Sequence, residues 1–147
     1  MEKKEIKNCF KIGAISPVFI GESIAKHQHK KNIGAHQLFL GQVRADILGD
    51  KEVQAIEYSA YEVMANDEFH KIREEAFSKF DLICMHIYHS IGVVKSGEIC
   101  LFVFVSSKHR KMAQQAIEFL VEEIKTNVPI FGKEIFADNS HTWKVNN

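Results

Sequence analysis

An α+β fold with a largely antiparallel sheet is predicted by three features of the sequence: two long segments with apolar residues at three- and four-residue steps, short runs rich in β-branched and aromatic residues, and turn residues that join those runs into hairpins. The first element is a brief helix near residues 22–30. Strands over 34–43 and 51–60 read as a pair around the turn Leu48-Gly49-Asp50. The longest helical pattern covers 61–80: Tyr61, Met64, Ala65, Phe69, Ile72, Ala76 and Phe80 share one face, and Glu68, Lys71, Glu74 and Glu75 occupy the other. Next, 82–91 and 98–105 form an antiparallel hairpin with its turn across 92–97. The second of these strands carries ICLFVFV, apolar on both faces and therefore central in the sheet. A second helix over 108–127 turns Met112, Ala113, Ala116, Ile117, Leu120, Val121 and Ile124 inward. It ends before Pro129, because the residue preceding a proline is disfavoured in helical conformation. Strands at 133–136 and 141–145 around Ala137-Asp138-Asn139-Ser140 form a terminal hairpin.

The length of 147 residues suits a single domain spanning 1–147, and 46% hydrophobic residues with two prolines can bury an ordinary core without staples. Disordered and collagen-like chains are excluded. The 19 Lys+Arg balance 19 Asp+Glu, which argues against gripping nucleic acid or an anionic membrane by net field and leaves local basic sites open. Cys9, Cys84 and Cys100 are odd in number, form no Cys-x-x-Cys, and read as reduced core thiols of a cytoplasmic protein. No apolar run reaches signal-peptide or membrane-spanning length, so neither export nor a membrane span is expected.

Eight histidines invite a metal hypothesis, but their spacing opposes it. His27 and His29 are two apart on a presumed helix, and His86 and His89, three apart on a strand, fall on opposite faces. No metal site is expected. There is no Gly-x-Ser-x-Gly, and the cysteines lie in or beside apolar sequence where a thiolate is disfavoured, so a covalent mechanism through the chain's own sulfur is not expected.

The informative anomaly is Ser106-Ser107-Lys108-His109-Arg110-Lys111, which ends the central strand and opens the second helix. The macrodipole favours anionic groups in a helix's first turn, each cation there costing ~0.3–1 kcal/mol. A phosphate or carboxylate held by free N–H groups, a serine cap and these basic side chains would offset that cost; the alternative is a solvated basic turn. Arg44 is a second candidate, at the end of an apolar strand, with a surface pair to Asp46 as its plainer reading. Lys125 follows the apolar Ile124 in the helix's last turn, where a lysine also suits the dipole. Lys133 follows Val128-Pro129-Ile130-Phe131-Gly132, a segment apolar enough to pack and so fix its lysine. His109 and Lys125 are separated by about 24 Å along one helix at 1.5 Å per residue, too far for one small ligand. If both serve one site, a second copy of the chain must supply one end, as in a symmetric homodimer.

Five segments together give a resemblance. Gly41-Gln42-Val43-Arg44, Glu57-Tyr58-Ser59-Ala60-Tyr61, His89-Ser90-Ile91-Gly92 with Gly97-Glu98, Ser107-Lys108-His109-Arg110, and Lys125 with Val128-Pro129-Ile130-Phe131-Gly132-Lys133-Glu134 occur in the order seen in the MoaE family, the catalytic large subunits of molybdopterin synthase. From about residue 10 to 145, ending in a strand with Trp143, the chain resembles that family. The resemblance implies an α/β-hammerhead with an additional small antiparallel β-sheet, and a homodimer core of a heterotetramer with a small ubiquitin-like sulfur-carrier subunit at each end. It implies two sulfur transfers from the carrier's thiocarboxylated C-terminal Gly-Gly to cyclic pyranopterin monophosphate, opening the cyclic phosphate and building the dithiolene of molybdopterin. No further cofactor is implied. By the same resemblance Lys125 is the essential lysine near the thiocarboxylate, Lys133 lies in the second basic segment, Arg44, His109 and Arg110 hold the pterin phosphate, and Phe39 is an aromatic wall of the pocket. His109 and Arg110 would come from the neighbouring subunit. Many members carry two adjacent basic residues after the aromatic one, and here the first is Gly132.

A non-catalytic phospho-ligand binding module could use the same cationic helix start. Lys125→Ala separates the two, since only an enzyme has turnover to lose. Single-strand RNA binding is disfavoured by zero net charge and the lack of an aromatic RNP-like run.

Overall fold

The structure, a computed structural model, describes residues 5–145, so the first four and last two residues of the expected 1–147 unit lie outside it. Its strands are β1 (Phe10–Ile12), β2 (Ala35–Gln42), β3 (Ile47–Leu48), β4 (Lys51–Ala60), β5 (Cys84–Lys95), β6 (Ile99–Ser107), β7 (Ile130–Phe136) and β8 (His141–Trp143), and its helices are α1 (Pro17–His27), α2 (Glu62–Lys79) and α3 (Arg110–Asn127). The strands run β2-β6-β5-β4-β7-β8, with β1 parallel to β5 and β3 beside β4. Every other ladder is antiparallel, so the mixed fold follows the sequence expectation.

β5 links two regions. Cys84 through His89 ladder with β6, whereas Gly92 through Lys95 ladder with Tyr58 through Ala55 of β4. Gly92 stands at the change with φ 87°, a left-handed backbone that glycine adopts without a Cβ penalty. The end of β5 with β4, β7 and β8 thus makes a smaller antiparallel array beyond the main one. The hairpin turn expected across 92–97 is shorter than predicted, because β5 continues to Lys95.

Two further expectations are corrected. β2 and β4 do not pair: β2 runs against β6, from Ala35↔Ser107 to Gln42↔Ile99, and the turn at Gly49 closes only the short β3–β4 hairpin. The first helix begins at Pro17 rather than near residue 22, since Ser16 accepts a hydrogen bond from the Val18 N–H and proline suits the first helical position. β1 was not expected at all; three residues carry too little pattern to announce a strand.

β6 is buried along its length because it has helices over both faces. On one, Ala65, Phe69 and Ile72 of α2 and Ala113, Ala116, Leu120 and Ile124 of α3 pack over Ile87, Leu101, Val103 and Val105. On the other, Ile15 and Ile20 lie over Phe102 and Phe104. Phe69 is fully buried, and truncating such a ring to alanine costs about 3–5 kcal/mol. Tyr61 and Met64, expected on the buried face of α2, are instead 63% and 61% exposed at its start. All three cysteines are buried and form no disulfide. No helix among the described residues is long and apolar enough to cross a membrane.

Candidate active site

α3 stops where Val128 turns extended ahead of Pro129, and its buried side chain anchors the turn into β7. Lys125 is the last basic residue of that helix, one position past the buried Ile124. It lines a pocket of about 350 Å³ together with Tyr58 of β4, His89 of β5, Phe131 and Gly132 of β7, and Trp143 and Lys144 at the end of β8. The strand alternation that puts Tyr58 inward also turns Gly132, its partner across the ladder, toward the pocket.

The pocket's charge follows from burial. His89 is 4% exposed, and its Nδ1–H donates to the Ser90 carbonyl at 2.7 Å, which leaves Nε2 as an acceptor. Desolvation lowers its pKa to about 4, so the imidazole is neutral at physiological pH. Its ring meets Tyr58 edge-on at 5.1 Å. The Tyr58 hydroxyl donates to Cys100 Sγ at 3.4 Å, and that thiol donates on to the Gly41 carbonyl at 3.4 Å. Burial, with Cys100 beside it, pushes the phenol's pKa up, so it stays protonated. Desolvation by the pocket walls holds the Lys125 ammonium below its ordinary pKa; Cys100 opposes that shift and Lys144 adds to it. The result is a cationic recess with a neutral imidazole, a protonated phenol and, among the described residues, no acidic side chain in its lining.

A second, apolar recess of about 400 Å³ adjoins it, sharing Phe131 and Trp143 and extending along Ser59, Ala60 and Tyr61. Tyr61 and Phe131 meet edge-on at 5.4 Å, and Tyr61, Phe131 and Trp143 are 63%, 42% and 58% exposed. Lys125 therefore sits at the end of a groove with an aromatic floor.

The remaining predicted residues lie elsewhere. Lys133, next to Gly132, points to the other face of β7, where its ammonium is 3.1 Å from Glu57. His109 and Arg110 are exposed at the start of α3, away from Lys125 by the length of the helix. The expected serine cap is not formed, because Ser106 and Ser107 are buried in β6: Ser107 donates to the His109 carbonyl, and Ser106 Oγ lies 2.6 Å from His36 Nδ1. His109 takes the capping position with no side-chain bond. Arg44 is 71% exposed and paired with Asp46 at 3.2 Å, its plainer reading. Phe39, opposite Val103, is half-buried against the core under α2 and α3. One chain thus brings Lys125 together with none of these.

Tyr58, His89, Trp143 and Lys144 were not singled out as pocket walls. A histidine on an apolar strand was the available signal for His89; that the chain past β8 returns beside Gly132 and so brings Lys144 to the pocket is set by a backbone bond between residues twelve apart. His86 and His89 do fall on opposite faces: His86 Nε2 lies 2.9 Å from His27 Nε2, a pair that spacing could not reveal.

A family described as MoaE protein matches residues 15–127. A Bacillus subtilis protein named molybdopterin synthase catalytic subunit is 41% identical over 117 residues, which cover 80% of this chain and 74% of that one. The crystal structure of molybdopterin synthase from Staphylococcus aureus superposes with a TM-score of 0.81 at 32% identity, covering 96% of this chain and 99% of that chain. A complex of subunits 1 and 2 of molybdopterin-converting factor from Helicobacter pylori gives a TM-score of 0.77 at 25% identity, covering 92% and 89%.

Proposed function

The chain belongs to the MoaE family, and from that membership we propose that it is a cytoplasmic molybdopterin synthase catalytic subunit that moves sulfur from the thiocarboxylated C-terminus of a small ubiquitin-like carrier onto cyclic pyranopterin monophosphate. The observation that carries this reading is the groove: an aromatic floor suited to an extended Gly-Gly tail ends at a desolvated lysine. The Helicobacter pylori complex supports a small-subunit partner.

Atom balance defines the work. The thiocarboxylate sulfur bonds to a substrate carbon as a C–O bond at that carbon breaks, its oxygen leaving on the opened phosphate or as water; a second water then adds to the acyl carbon of the thioester so formed, and the carrier's C–S bond breaks, leaving a carrier carboxylate and a substrate thiolate. Lys125 serves that exchange in both protonation states. As ammonium it stabilises the oxyanion that forms when water adds, and as amine it accepts the water's proton. Its lowered pKa brings the two states closer in population near neutrality. The sulfur arrives on the partner, so the buried Cys9, Cys84 and Cys100 need take no part.

His109, Arg110 and Arg44 are proposed to hold the substrate phosphate, with Phe39 beside it. His109 and Arg110 lie a helix length from Lys125, which supports a site completed by the second copy of a homodimer. Lys133 acts indirectly, holding β7 to β4 through Glu57.

The test is product formation from cyclic pyranopterin monophosphate with a thiocarboxylated carrier, run beside Lys125→Ala. Dithiolene product from the wild type and none from the variant is the expected result. No product despite verified carrier binding would favour a phospho-ligand binding module.

A further inference from the structure

β1, the strand that no sequence pattern announced, holds one side chain of the Lys125 pocket in place. The His89 N–H donates to the Cys9 carbonyl at 2.8 Å. Phe10, its neighbour across the parallel ladder, meets the imidazole edge-on at 6.3 Å, as Tyr58 does at 5.1 Å. Nδ1 is taken by the Ser90 carbonyl, and Nε2 has no hydrogen-bond partner among the described residues. Ser90 Oγ is the only side-chain oxygen or nitrogen among those residues that is both sealed and without a partner. Nε2 therefore keeps open surface, and the space that the ring lines is the Lys125 pocket.

The lone pair on Nε2 is the part of this side chain that neither the packing nor the bond to Ser90 uses. A phenyl ring would fill the same place beside Phe10 and Tyr58. The other polar side chains of the lining offer hydrogens: Lys125 and Lys144 as ammonium groups, Trp143 through its indole N–H, while the Tyr58 hydroxyl directs its hydrogen to Cys100. An ammonium binds water through the oxygen and so occupies the lone pair that a nucleophile needs. Nε2 binds water through a hydrogen and leaves that lone pair free. A recess of about 350 Å³ has room for a water, whose share of liquid volume is about 30 Å³, beside a bound acyl group.

We propose that His89 is a further catalytic residue of this pocket: its Nε2 accepts a hydrogen bond from the water that releases the carrier and aims that water's oxygen at the acyl carbon. This rests on the sulfur-transfer reading above. The water oxygen bonds to the acyl carbon of the thioester, its proton passes to the Lys125 amine, and the C–S bond breaks with its electron pair leaving on the substrate sulfur. His89 neither gains nor loses a proton; its imidazole stays neutral and orients the nucleophile. The earlier attack of sulfur on the substrate uses no such water, so His89 acts on release alone.

The experiment is a single turnover of thiocarboxylated carrier with cyclic pyranopterin monophosphate, followed by the intact mass of the carrier, in wild type, His89→Phe and His89→Gln, each first checked for melting temperature and carrier binding. Wild type should pass from thiocarboxylate to carboxylate with little covalent carrier–substrate adduct. His89→Phe should consume thiocarboxylate near the wild-type rate yet release carboxylate about 10²-fold more slowly, so that the adduct accumulates. His89→Gln, whose amide oxygen can accept the same bond, should release it faster than His89→Phe. Equal losses in the two steps, or no adduct in a folded His89→Phe that binds carrier, overturns the proposal. A second measurement needs no variant: nitrogen NMR shifts of the wild-type His89 ring at neutral pH should show Nδ1 protonated and Nε2 bare, and a proton on Nε2 overturns the proposal as well. A wild type that binds carrier but consumes no thiocarboxylate when substrate is present sinks the sulfur-transfer reading, and this role with it.

Discussion

Lys133 and Glu57 stand opposite each other on β7 and β4 with ammonium and carboxylate 3.1 Å apart, on the face of the strand that turns away from the Lys125 pocket. One residue of strand is all that separates the two faces, because side chains alternate. Lys125→Ala should therefore lower kcat by about 10²–10⁴-fold, the usual worth of a proton-transfer group. Lys133→Ala, which removes a partly exposed ion pair, should cost about 0–1 kcal/mol of stability and leave the chemical step within roughly tenfold. Single-turnover rates with thiocarboxylated carrier check both; equal losses would mean that Lys133 reaches the reacting group.

If His109 and Arg110 complete the partner's pocket, defects in the two halves complement each other. Lys125→Ala and a His109→Ala/Arg110→Ala variant should each be nearly inactive, while mixed and re-equilibrated dimers should recover up to about a quarter of wild-type activity. That figure follows from random exchange: half the dimers are mixed, and each has one intact site of two. A mass near twice 16.8 kDa by light scattering is the companion observation. No recovery in a sample shown to exchange would confine the site to one chain.

The parts of the fold that the sequence revealed are those where local pattern and burial coincide. α3 shows its four-residue spacing at Ala116, Leu120 and Ile124, and the apolar run of β6 lies at the centre as expected. Partner choice was hidden. Gly49 announces a reversal, but nothing near residues 35–42 says that they pair with a strand some sixty residues later rather than with β4, because alternation fixes which face is buried and not which neighbour is bonded. The site behaves likewise. Lys125 stood out through the family resemblance rather than through its position after Ile124, which by itself suits a helix-capping lysine, whereas Tyr58, His89 and Lys144 meet it only through the β4–β5 and β4–β7 ladders and the bond from Lys144 to Gly132.

Stability should fall as pH drops through the range where histidines ordinarily titrate. Burial lowers the pKa values of His86 and His89 to about 4 from an ordinary 6.5. Between those values the unfolded chain binds protons that the folded chain refuses, so stability rises with pH, is complete above 6.5 and is lost as pH falls through about 4. The effect is on the order of 3 kcal/mol for the buried His89 and smaller for His86, whose partly exposed ring is screened by solvent. Urea midpoints at pH 7 and pH 4.5 measure it, and His86→Phe, whose ring can rest on Phe104, should shrink the difference. An identical pH dependence in that variant would remove His86 from the account.

Gly34 and Gly21 should respond to alanine in opposite directions. At Gly34, a Cβ would stand 2.1 Å from the Lys108 carbonyl oxygen, a backbone atom that cannot swing aside, and the Gly34 N–H donates to the Ser107 carbonyl at 3.0 Å. The start of β2 is thereby closed onto the turn that carries His109 and Arg110. Gly34→Ala should cost about 1–3 kcal/mol or more, and the shift it forces at residues 107–110 should raise the KM for the anionic substrate. Gly21 lies inside α1 with nothing within 4 Å of its Cβ position, so Gly21→Ala removes unfolded-state freedom without a clash and should gain about 0.4–1 kcal/mol. Thermal melts of the two variants beside wild type decide the point. If Gly34→Ala melts with wild type, the close approach of β2 to the basic turn is not what holds that turn in place.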